Sequence, residues 1–88
     1  MPRRRKLNKD YEKLIGVTKK EVELITAKIR DIYDDDIREE YARAFFSVKS
    51  RQSELDSAYV KVGYDERSEE LMKLYKDTLN AFHNEYEI

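Results

Sequence analysis

Catalysis at neutral pH needs a nucleophile beside a base, or an acid and a base with separated pKa values, converging in a cleft. This chain offers little of that. His83 is its single histidine and it has no cysteine, which removes disulfides, thiolate metal sites and thiol nucleophiles together. His83 follows Phe82 at the edge of an apolar stripe, the place of a surface or boundary histidine. Gly16 and Gly63 stand too far apart to build a phosphate-cradling loop. The acidic cluster Asp31, Asp34, Asp35, Asp36, Glu39 and Glu40 is the one group with hard-cation ligands. Calcium loops, however, alternate oxygen ligands around a glycine and close on a bidentate glutamate. No such glycine occurs here, and three adjacent aspartates diverge. The cluster reads instead as a helix cap plus a negative surface for a basic partner, interrupted only by Arg38. The expectation is a non-enzymatic protein with no cofactor, no metal and no small-molecule substrate.

Charge is distributed unevenly behind the net value of −1. Residues 1–20 carry eight Lys/Arg against Asp10 and Glu12, whereas the remaining residues carry ten basic against seventeen acidic groups. A flexible basic arm over residues 1–7 thus precedes a single acidic helical domain over residues 8–88. Such an arm can stay a solvated tail, can fold back on its own acidic body or that of a neighbouring copy, or can neutralise phosphates and release counterions. In the last case Arg3, Arg4, Arg5, Lys6, Lys9, Lys19 and Lys20 form a phosphate clamp on nucleic acid. The helix after Thr18 mixes Lys19, Lys20, Lys28 and Arg30 with Glu21, Glu23 and Asp31, a poor surface for insertion into a groove.

Stepping outward to the elements, 88 residues with two Gly and one Pro make one domain and leave too few turn formers for a many-stranded sheet. No apolar run approaches the roughly 18 residues of a spanning helix, and no apolar segment of a secretory leader follows the arginines. A cytoplasmic, intracellular protein that does not enter membranes is expected. Helix signals recur instead. Asn8 caps a short first helix through Tyr11, Leu14 and Ile15 that Gly16 ends. Thr18 and Glu21 have capping-box spacing and open a second helix, with Val22, Ile25, Ile29 and Ile32 on one stripe. The apolar interval jumps from Ile32 to Ile37, and Asp36 with Glu39 offers a further capping box, so a break falls at residues 34–36.

Beyond that break, Tyr41, Ala44, Val48, Arg51, Leu55, Ala58 and Val62 follow heptad spacing, flawed at Arg51 and widened by Phe45, Tyr59 and Val60. Gly63 ends this helix, and Asp65 caps a last one whose apolar face holds Leu71, Met72, Tyr75, Leu79, Phe82 and Tyr86. The connection is short, so the two helices run antiparallel. The expected fold is all-α: a small helical bundle built on a long antiparallel hairpin, with about four helices, the first short. Residues 76–86 are similar in outline to the closing helix of the small two-helix phosphatases of the sporulation phosphorelay. Lys76, Asp77 and Asn80 replace the Ser, Gln and Asp that define that family, so its activity does not carry over.

Seven tyrosines and three phenylalanines are many for so charged a chain, and tyrosine suits half-exposed interfaces. The leading functional expectation is a self-associating interaction module, a dimer by preference, of the size of small regulators and inhibitors from bacteria, archaea or their viruses. Its partner is another copy, another protein, or both. Tyr41, Phe45, Phe46 and Tyr59 serve as aromatic anchors, with Asp34, Asp35, Asp36, Glu39 and Glu40 giving electrostatic selectivity. Adjacent Phe45 and Phe46 point about 100° apart on a helix, so one of them falls outside the stripe.

Overall fold

The computed structural model describes residues 6–88, which form three helices: α1 (Lys9–Arg30), α2 (Asp35–Val62) and α3 (Glu66–Glu85). The all-α expectation holds, with three helices in place of four. The short first helix does not exist as a separate element. Asn8 caps α1 as expected, its side chain accepting from the Tyr11 amide at 3.0 Å. The helix then runs straight through Gly16, and the Thr18 hydroxyl donates to the Ile15 carbonyl at 2.8 Å instead of capping a new start. The reason lies in the spacing. Tyr11, Ile15, Thr18, Val22, Ile25 and Ile29 are all buried at alternating intervals of four and three, a single uninterrupted row. Burying that row outweighs the roughly 1 kcal/mol that a glycine costs inside a helix.

The break before α2 is real, but Asp34 makes the cap, accepting from the Ile37 amide at 3.0 Å, while Asp36 lies two residues later, inside the first turn. Arg38 closes the corner by donating to the Ile32 carbonyl at the end of α1 at 3.0 Å. At the other end of α2, Gly63 adopts φ +78°, and a Cβ built there would lie 2.2 Å from the Lys6 carbonyl oxygen. Only glycine allows this approach, in which Lys6 pairs with Gly63 as an isolated parallel bridge and accepts from the Tyr64 amide. Asp65 then caps α3 as expected. It accepts from the Ser68 amide at 2.9 Å, and the Ser68 hydroxyl in turn accepts from the Asp65 amide at 3.3 Å.

Two short connections make α2 antiparallel to both neighbours and leave α1 parallel to α3. The result is a rod of 54 × 20 × 19 Å. Its core gathers the α1 row, Phe45, Val48, Leu55 and Tyr59 of α2, and Leu71, Met72, Tyr75, Leu79 and Phe82 of α3. The α2 seam differs from expectation by one position. Phe45, Val48, Gln52, Leu55 and Tyr59 are buried, whereas Ala44 and Ala58 lie at the core margin. Val62 is 54 % exposed. As the central helix, α2 must meet partners on two sides, and its largest side chains take the middle. Ring pairs close both ends of the rod: Tyr11 with Tyr64 at 5.2 Å, and Phe45 with Phe82 at 5.0 Å. No described helix is long and apolar enough to cross a membrane.

Candidate interaction surface

Adjacent phenylalanines on α2 have opposite fates. Phe45 is 1 % exposed and stacks into the core, while Phe46 is 67 % exposed. Ala42, Phe46, Ser50, Ser53, Ser57 and Val60 recur at intervals of three and four, so they share the face of α2 turned away from the core. Phe46 rises from this face between small residues. A groove of about 600 Å³ runs beside it, lined by Phe46, Ser50, Ser53 and Ser57 and reaching down to Val22 of α1 and Gln52. A second groove of about 630 Å³ continues toward the α1–α2 corner, where Thr26, Arg30, Ala42 and Lys49 line it.

Of the other expected anchors, Phe45 and Tyr59 are corrected to core residues. Tyr59 is 7 % exposed, and its hydroxyl accepts from the Asn8 amide at 3.1 Å and donates to Glu12 at 2.7 Å. Fixing the chain entry to α1 is its role. Tyr41 is half-buried, with its ring edge-on to Tyr86 at 4.7 Å. The acidic segment is exposed but partly neutralised by its own chain. Asp34 is spent as a cap, Asp35 pairs with Arg38, and Glu39 pairs with Arg43 at 2.6 Å. Asp36 and Glu40 stay exposed. Among the described residues no group of three or more His, Asp or Glu is arranged to hold a metal ion.

The basic set is scattered rather than gathered. Arg3, Arg4 and Arg5 lie outside the described residues. Lys6 is tied through its backbone to Gly63, Lys9 and Lys20 are exposed on α1, and Lys19 bridges to Asp56 of α2 at 3.1 Å. His83 is exposed, edge-on to the Phe82 ring at 5.8 Å.

Gln52 escaped the sequence reading, and so did the hydroxyl partner of Tyr75, a residue that the periodicity places on the apolar face of the last helix. Gln52 is 9 % exposed, and its Nε2 has no hydrogen-bond partner among the described residues. It sits one position from Arg51, which the heptad register had marked as the flaw in the seam, so the signal was present and misplaced by one residue. Tyr75 is 1 % exposed and donates to the Thr18 carbonyl at 3.4 Å, joining α3 to α1. Burial, aided by the charge of Glu21, pushes its phenol up to about 12. Burial likewise raises Tyr11, whose hydroxyl reaches the Ser68 carbonyl at 2.7 Å.

The chain matches no known protein family, no curated protein and no solved structure. What it does must therefore be argued from this geometry.

Proposed function

We propose that this chain is a non-enzymatic interaction module, a small regulator or inhibitor that acts by presenting the outer face of α2 to another protein surface. The observation carrying the reading is Phe46, a large ring 67 % exposed at the middle of the longest helix while its neighbour Phe45 completes the core. Holding a phenyl ring in water is unfavourable by about 1.5 to 3 kcal/mol relative to burying it, and grooves on either side give a partner a way to enclose it. The partly paired acidic turn of α2, at the end of the same helix, adds charge selectivity at the rim, where it affects encounter rate and partner choice more than affinity.

The test separates surface from core. At a dilution where the chain is monomeric, Phe46→Ala should leave the thermal midpoint within a few degrees of the parent, because little packing is lost and association no longer contributes to stability, while at higher concentration it should weaken association at least tenfold by sedimentation. A loss of stability on the scale of a core phenylalanine, about 3 kcal/mol or more, would return Phe46 to the fold and end this reading.

A further inference from the structure

We infer that the occupant of the α2 face is a second copy of the same chain, packed with α2 antiparallel to its counterpart about a two-fold axis near Lys49. This deepens the reading above and rests on it. The first argument is steric. The outer face is asymmetric along its length, with the bulky Phe46 on one side of Lys49 and Ser50 and Ser53 on the other. Turned end for end about that axis, each Phe46 enters the groove floored by the other copy's serines, so bulk meets space on both sides. A parallel pairing in register would set ring against ring.

Charge agrees with the same register. Arg43 and Glu54 lie on one edge of the face, and so do Asp36 and Lys61. In an antiparallel pair equivalent edges meet, which brings Arg43, paired within its own chain to Glu39, beside Glu54 of the other copy, itself paired to Arg51, and brings Asp36 to Lys61 of the other copy. Both pairings share one centre, residues 48–49, and the symmetry makes each occur twice, which outweighs the single like-charge approach of the two Lys49 side chains at the axis. A parallel pair has no such match. The groove floor adds an independent sign: Gln52, about nine-tenths buried, keeps an amide nitrogen without a partner among the described residues.

Area permits the contact. The outer face runs the length of α2, 28 residues or about 42 Å at 1.5 Å per residue. A stable pair needs to cover about 600 to 1,000 Å² on each copy.

Because the chain has no cysteine, single cysteines report on register without interference. Sedimentation of the full chain should show a monomer–dimer equilibrium at micromolar to submillimolar concentration. Ser50→Cys should then oxidise rapidly to a covalent dimer. Ser57→Cys should not, because its α-carbons lie about 25 Å apart across the axis at 1.5 Å per residue, beyond the roughly 7 Å reach of a disulfide. Arg43→Glu should weaken the dimer several-fold, and adding Glu54→Arg to the same chain should restore it, since the swap recreates each pair across the interface. Equal oxidation at residues 50 and 57, or failure of the charge swap to rescue, overturns the antiparallel register. A monomer throughout overturns the second copy as occupant. Neither result depends on the thermal midpoint of Phe46→Ala, which alone decides whether the face is surface or core.

Discussion

Gln52 sits in the core row between Val48 and Leu55, where an aliphatic side chain would be expected. Its buried Nε2 has no acceptor among the described residues, and an unsatisfied buried donor costs about 1 to 3 kcal/mol in desolvation. Leucine has a similar volume and no such debt. Gln52→Leu should therefore raise stability by about 1 to 2 kcal/mol, read as a higher urea midpoint with unchanged slope at a dilution where the chain is monomeric. A fall in stability would mean that the amide is satisfied in solution. The residues that did show themselves in the sequence share a local mechanism. Asn8 and Asp65 cap because a short acceptor reaches an amide three residues ahead, and this needs nothing beyond the next turn. Gln52 did not show itself, and neither did the hydroxyl partners of Tyr59 and Tyr75, because each is defined by what a second helix brings to it. The Phe45/Phe46 divergence was legible for the opposite reason, since helical geometry alone sends neighbours to different sides, although which of the two faces inward required the whole bundle.

The helices teach the same lesson through two glycines. Both read as helix terminators by residue type, yet one lies inside α1 and one ends α2. At Gly16 a Cβ would meet nothing within 4 Å, and the backbone is helical. Gly16→Ala should add about 0.5 to 1 kcal/mol by lowering the unfolded chain's entropy, visible as a rise of a few degrees in the thermal midpoint. At Gly63 the backbone stands at φ +78° and the Lys6 backbone fills the space a Cβ would need. Gly63→Ala should cost about 2 kcal/mol or more and should expose the Tyr64 amide, whose acceptor is the Lys6 carbonyl, to fast hydrogen exchange. Equal effects from the two substitutions would contradict the assigned conformations. The boundary at Asp34 was legible because three aspartates and a jump in apolar spacing coincide there. The continuity of α1 was not, because the Thr18-Lys19-Lys20-Glu21 signal mimics a start. Only the buried four-three row from Tyr11 to Ile29, continuous through Thr18, overrides it.

At the scale of the whole rod, α2 packs against both neighbours, while α1 and α3 meet through tyrosine hydroxyls. Tyr75 reaches the Thr18 carbonyl and Tyr11 the Ser68 carbonyl, so two phenols about two helical turns apart along the axis, roughly 10 Å, hold the parallel helices in register. Burial is the main reason both titrate above the ordinary value of 10, Tyr75 near 12 with help from Glu21. A phenol raised on folding leaves stability unchanged while both states are neutral, below about pH 10. Above that the unfolded chain loses protons and the folded chain does not, so stability falls as pH rises toward about 12. The rod should accordingly lose stability in alkali between these limits, read as a urea midpoint that falls with rising pH. Tyr75→Phe removes one of the ionisations that drive this loss and one long hydrogen bond worth about 0.5 to 1 kcal/mol. The variant should be slightly less stable at pH 7, yet should lose less stability between pH 7 and pH 11 than the parent. If the parent and Tyr75→Phe lose stability in parallel across that range, the Tyr75 hydroxyl is not held in a dry contact between α1 and α3. The direct link between the two outer helices would then rest on the Tyr11 hydroxyl at Ser68.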